Sequence, residues 1–214
     1  MAADESTSAD LEHALKRATA ALRRAGVPFL LGGSLASWAR GGPQSRHDLD
    51  LMIRPGDVEQ ALAALRDEGM RPERPPEDWL VKAWDGDTLV DLIFHPKGLP
   101  VDDELFARAE ELSVLGMELQ VMALEDVLVT KLMSITEHAL RFEGPLQIAR
   151  ALREQIDWAQ VRRRTEGSPF ARAFFVLLDG LGVLPEGAEE RPQRARETTV
   201  RVINPGGSAA AGPG

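Results

Sequence analysis

Across residues 9–25 the apolar positions fall at Leu11, Ala14, Leu15, Ala18, Leu22 and Ala25, the spacing of a helix with one buried face, and Gly26 supplies its C-cap. The eight residues ahead of it, MAADESTS, are polar and read as a tail. Val27-Pro28-Phe29-Leu30-Leu31 is short and wholly apolar, which suits a buried strand, and it runs straight into Gly32-Gly33-Ser34. Residues 35–40 read as a short helix and 41–45, GGPQS, as a loop. The stretch DLDLMI, 48–53, alternates acid and apolar before turning wholly apolar, as a strand does when one end of it is open. Pro55 opens a helix with Asp57 and Glu59 in its first turn, and Gly69 ends it. Residues 71–78 are proline-rich and loop-like, whereas 79–84 and 88–94 read as two strands joined through Asp85-Gly86. Val114 and 117–122 suggest further short strands around Gly116. From Leu124 onward the period is helical, with helices predicted near 124–137, 146–164 and 169–181.

The pattern predicts a tail at 1–8, a mixed α/β unit at 9–122, a helical region at 123–182 and a disordered tail at 183–214, which is poor in apolar residues and ends in GGSAAAGPG. The fold class is therefore α/β (α+β): a small mixed β-sheet flanked by helices and followed by a helical C-terminal region. Composition supports a folded core, with 214 residues of which 43% are hydrophobic. There is no cysteine, which removes disulfides, thiolate metal sites and thiol nucleophiles. No signal-peptide pattern and no apolar run of membrane-spanning length is present, so a cytoplasmic protein is expected. The net charge of −9 argues against extensive DNA binding. One basic cluster stands out, Arg150, Arg153 and Arg162-Arg163-Arg164, readable as a solvated helix face or as an RNA-phosphate patch.

Candidate chemistry gathers at three aspartates. Asp48 and Asp50 are i and i+2 of a strand, so they share a face about 6.5–7 Å apart. Two carboxylates so placed can share a pair of divalent ions about 3.5–4 Å apart, which offsets their mutual repulsion. The alternative is an edge strand wearing its acids toward water. Asp85-Gly86-Asp87 has the same spacing but forms a hairpin turn. Asp91 lies inside TLVDLIF, a segment apolar on both faces, where an aspartate needs a partner or a metal. Gly32-Gly33-Ser34, between a strand and a helix, offers backbone N–H groups and a hydroxyl to phosphate. No Walker A lysine and no Rossmann fingerprint accompany it. An HD-type hydrolase would need histidines on helices, and His13 is the only histidine upstream of His47-Asp48. His47, His95, Trp38, Trp79, Trp84 and Trp158 are assigned no chemistry.

The order strand, Gly-Ser, helix, loop, Asp-x-Asp strand, helix, hairpin, Asp strand resembles the nucleotidyltransferase superfamily that includes DNA polymerase beta, over roughly residues 9–95. The helical half looks like that of bacterial abortive-infection toxin-type nucleotidyltransferases and antibiotic adenylyltransferases. Within LEDVLVTKL, 124–132, Lys131 is similar to a lysine that reaches nucleotide phosphates. The resemblance implies transfer of a nucleoside monophosphate from an NTP to a hydroxyl of an RNA (such as tRNA), an antibiotic or a protein, with release of pyrophosphate. It implies two Mg²⁺ ions, or Mn²⁺, at Asp48, Asp50 and Asp91, and phosphate binding by Gly32, Gly33, Ser34 and Lys131. Arg46 stands where the family often has Ser or Thr, and could contact a phosphate. Asp157 matches a later acidic motif of the toxin-type proteins or is an ordinary helix or turn residue. The alternative function is an inactive nucleotide-binding member acting as a binding or regulatory protein.

Overall fold

The computed structural model describes residues 2–43 and 48–184. In chain order the elements are α1 (Ala2–Arg24), β1 (Phe29–Leu31), α2 (Gly33–Trp38), β2 (Asp48–Ile53), α3 (Val58–Asp67), β3 (Arg71–Glu73), β4 (Leu80–Asp85) and β5 (Thr88–Ile93). There follow α4 (Asp103–Ala107), β6 (Glu110–Val114), β7 (Met117–Val121), α5 (Leu124–Met133), α6 (Glu143–Leu152), α7 (Trp158–Thr165) and α8 (Pro169–Gly180). The strands form one mixed sheet in the order β3-β4-β5-β2-β1-β7-β6. Both central pairings that matter here involve β2, which runs antiparallel to β1 and parallel to β5. The expected α/β architecture, a mixed sheet flanked by helices with helices after it, is the one observed.

The hydrophobic alternation of β2 and β5 sets the orientation of the sheet. Leu49, Leu51, Val90 and Leu92 are completely buried and define one face. Helix α1 packs on β2 and β5, while α3 packs on β3 and β4. In the helical half, α5 is the hub. Its Leu124, Val127, Leu128, Val129 and Leu132 are all buried, and it packs against α2, α6, α7 and α8. One contiguous cluster of buried residues runs from Leu11 to Val183, so sheet and helices share a core.

Several boundaries differ from expectation, each for a local reason. Helix α1 starts at Ala2, inside the stretch read as a tail. The proline-rich 71–78 contains edge strand β3, which pairs only with β4; an edge strand tolerates Pro72 because its missing N–H leaves no ladder partner on the outer side. The single helix expected over 146–164 is two. Helix α6 ends at Leu152, a 3₁₀ turn follows at Arg153–Gln155, and the Asp157 carboxylate restarts the chain as α7 by accepting a hydrogen bond from Gln160 N at 2.9 Å. Helix α4 was not predicted; it is short and capped by Asp102, which accepts from Leu105 N at 3.0 Å. The hairpin turn between β4 and β5 is as expected, with Asp85 opposite Thr88 and Gly86 at φ +60°. Of the disordered tail expected over 183–214, Val183 is buried in the core and 185–214 lie outside the described residues.

Candidate active site

Strand register brings the aspartates together. Asp50 lies directly beside Asp91 across the β2–β5 pairing, and Asp48 lies beside Leu89. Since alternate residues share a face, Asp48, Asp50 and Asp91 all project from the face opposite Leu49 and Leu51. The same row continues outward: Lys82 of β4 pairs with Asp91, and Glu73 of β3 pairs with Lys82. Asp50 and Asp91 are partly buried and Asp48 is exposed.

Gly32 and Gly33 close over Asp50. Gly32 N donates to Asp50 O at 2.8 Å, continuing the β1–β2 ladder by one residue. Gly33 adopts φ +56°, and a Cβ placed there would lie 1.6 Å from Asp50 Oδ2. Glycine is required twice over, by the backbone conformation and by the carboxylate resting against its Cα. On the far side, Ser34 Oγ accepts a hydrogen bond from Lys131 Nζ at 3.3 Å, so the lysine of α5 and the Gly-Ser turn meet although 97 residues separate them.

Burial pushes Asp50 up to about 6 from 3.8, with Lys131 pulling it back and the charges of Asp91 and Asp48 adding to the rise. Asp91 is likewise pushed up to about 6, by burial first, with Lys82 opposing and Asp48 and Glu73 reinforcing. Asp91 Oδ1 is buried and has no hydrogen-bond partner among the described residues. The carboxylates are not closed into a cage: among the described residues no three His, Cys, Asp or Glu side chains stand ready to hold a metal ion. The donor set nevertheless fits a hard divalent cation. Oxygen-only donors, one orphaned carboxylate oxygen and two carboxyls held above their ordinary range all describe a site short of positive charge.

The position of Lys131 depends on how α5 is held. Asp126, fully buried near its start, accepts from Arg108 Nε and Nη2 at 3.1 and 3.2 Å and pairs with Arg164 Nη2 at 2.6 Å. Glu125, also buried, accepts from Asp157 N at 2.8 Å, and burial raises its carboxyl above the usual range. Sequence reasoning missed Lys82, Glu73, Arg108 and Asp126. Lys82 and Glu73 were readable only once the β3–β4–β5 register was known. Two adjacent acids in the first turn of an apolar helix, Glu125-Asp126, are the visible signal for the second pair, since only a buried ion pair or hydrogen bond accommodates them.

Other candidates disperse. Arg46 and His47 lie outside the described residues. The basic cluster is divided: Arg164 is turned inward to Asp126 and Arg162 lies over the Phe175 ring at 4.3 Å, while Arg150, Arg153 and Arg163 are exposed, Arg153 pairing with Glu154 at 3.4 Å. Asp157 caps α7. Trp158 is core, its Nε1 donating to Arg153 O at 2.9 Å, and Trp38 packs against the core. Among the described residues no helix is long and apolar enough to cross a membrane.

Residues 2–179 match a family model described as an uncharacterised nucleotidyltransferase. No curated protein sequence matches the chain. Among solved structures, the antibiotic-resistance factor ANT(2'')-Ia in solution aligns at a TM-score of 0.54 with 16% identity, over 80% of this chain and 96% of that one. A crystal structure of ANT(2'')-Ia in complex with adenylyl-2''-tobramycin aligns equally, at 0.54 and 16%, over 76% and 98%. The lincomycin-bound lincosamide antibiotic adenylyltransferase LnuA aligns at 0.47 with 13% identity, over 64% and 92%. At these identities the first two likenesses speak for the fold.

Proposed function

The chain belongs to this nucleotidyltransferase family, and on that premise we propose that it moves a nucleoside monophosphate from an NTP to an acceptor hydroxyl, releasing pyrophosphate. The observation that carries the reading is the pairing of Asp50 with Asp91, with Asp50 seated against Gly33 and Asp91 Oδ1 left without a partner. Asp48, Asp50 and Asp91 would hold Mg²⁺, or Mn²⁺, which when bound supplies charge neutralisation for the phosphates and the developing transition state. Gly32 and Gly33 let the backbone approach the terminal phosphates, and Ser34 and Lys131 hold them by hydrogen bond and charge. The acceptor oxygen attacks the α-phosphorus, the α–β bridging P–O bond breaks, and pyrophosphate leaves with the electron pair. Asp91, held near 6, is suited to receive the acceptor's proton at neutral pH. The rest of the catalysis is positioning and charge stabilisation.

The test is incubation of the full chain with Mg²⁺ and each α-labelled NTP, against pools of tRNA, aminoglycosides, lincosamides and lysate protein. Transfer of label by the wild type but not by Asp50→Asn supports the reading. Absence of transfer together with absence of Mg²⁺-dependent NTP binding refutes it.

A further inference from the structure

The sheet places the pieces of the site in a line. Reading across it at one level, the Gly32-Gly33 turn meets Asp50, then come Asp91, Lys82 and Glu73 on successive strands. Neighbouring strands are about 4.8 Å apart, so Lys82 stands one strand beyond Asp91 on the side away from the phosphate-binding turn. The parallel row two residues along runs Asp48, Leu89, Trp84, Arg71. The nucleotide's phosphates occupy the Gly33–Ser34–Lys131 end. An acceptor hydroxyl that must reach Asp91 therefore approaches over β4 and β3.

That edge has a specific chemistry. The Trp84 indole is half-buried and fixed in orientation, its Nε1 donating to Glu73 Oε2 at 2.7 Å. Arg71 places its guanidinium 5.5 Å from the indole centroid and 3.9 Å from Glu73. Both contacts are to Glu73 Oε2, which the indole and the guanidinium share. Lys82 makes no hydrogen bond and no ion pair among the described residues, although it sits between Asp91 and Glu73 in the row. The edge offers one oriented aromatic ring and two cations, one of them, Lys82, without a hydrogen bond among the described residues and beside Asp91, whose charge it attracts.

We infer that the open face of β3 and β4 is the acceptor subsite and that it takes the 3′-terminal nucleotide of an RNA, with Lys82 meeting the terminal phosphate and Trp84 the base. This deepens the transfer reading above and rests on it. Single-stranded RNA ends are gripped by stacking on aromatic rings and guanidinium planes together with phosphate contacts, which is the set present here. The overall charge of −9 limits the grip to the last nucleotide or two, since a longer track would be repelled. In the transfer the terminal ribose hydroxyl loses its proton to Asp91, its oxygen bonds to the α-phosphorus, and pyrophosphate departs.

Two measurements on the full chain test this. In EDTA, binding of a fluorescein-labelled eight-nucleotide RNA is followed by anisotropy for wild type, Lys82→Arg, Lys82→Ala, Lys82→Glu and Trp84→Ala, each first shown to melt cooperatively. With Mg²⁺ and NTP, KM is measured separately for RNA and for NTP. Expected are retained binding in Lys82→Arg, about tenfold weaker binding in Lys82→Glu and in Trp84→Ala, and a raised RNA KM with NTP KM within twofold. The salt slope should be shallow and fall by about 0.7 in Lys82→Ala, one phosphate's share. Label passing to an aminoglycoside and not to RNA would overturn the inference while leaving the transferase reading intact, as would Lys82→Ala and Lys82→Glu proteins that bind RNA like wild type. Loss of Mg²⁺-dependent NTP binding in the wild type would instead remove the reading on which it rests.

Discussion

Replacing Asp50 by Asn is expected to end transfer and at the same time to stabilise the metal-free protein. The fold holds this carboxyl at about 6 against an ordinary 3.8, chiefly because it is buried against Gly33 beside Asp91. At 1.36 kcal/mol per pH unit, keeping it ionised at neutral pH costs the folded state about 3 kcal/mol. That figure is already net of the attraction to Lys131; Asn keeps the size and loses the charge but buries an amide in its place, so about 2 kcal/mol is expected. For a chain of this length that is a rise in Tm of roughly 4–8 °C in EDTA at pH 7.5. The folded state binds more protons than the unfolded between 3.8 and 6, so the wild type recovers this penalty as the pH falls. The gap between variant and wild type should be full above about 6, about half as large at pH 5, and gone near 3.8. Thermal melts of both proteins at pH 7.5, 6 and 5 in EDTA decide it. An Asp50→Asn protein that melts at or below wild type at pH 7.5, or a gap that does not shrink on acidification, would refute the claim that the site stores unfavourable charge.

Other consequences follow from the same contacts. Gly33→Ala puts a methyl onto Asp50 Oδ2 at a positive φ, so NTP-dependent transfer should drop by about a hundredfold or more, with a stability loss of about 2 kcal/mol in urea melts. Lys131→Ala removes the partner of Ser34 and should raise the NTP KM by about tenfold with a smaller change in kcat, as steady-state kinetics would show. Asp126→Ala strands Arg108 and Arg164 around a buried void and should cost about 3–5 kcal/mol in urea melts, whereas Arg164→Ala, which leaves the bidentate Arg108 contact, should cost less. Asp91→Asn should abolish transfer while NTP binding, read by calorimetry with Mg²⁺, persists through the Gly33–Ser34–Lys131 end.

Much of the site was legible because it is local in sequence. An Asp-x-Asp strand shares a face by geometry, and a glycine pair between an apolar strand and a helix is a short-range pattern. Boundaries failed where a single side chain outweighed a run. Asp157 split a long helical pattern by capping a new start, and β3 formed in a proline-rich stretch because a neighbouring strand was there to pair with it.

The sequence by itself determined which residues could carry charge into an apolar strand, where glycine was free to turn, and which half of the chain was helical, since each follows from local propensity and periodicity. Only the tertiary structure decided that Asp50 stands beside Asp91 rather than one register away, that Lys131 reaches Ser34, that Arg164 serves Asp126 instead of a basic patch, and that Lys82 lies beside Asp91 with Trp84 in the neighbouring row. Register and helix docking are set by burying one shared core, and a one-residue slip of β2, β4 or β5 would have turned its side chains in these rows to the other face.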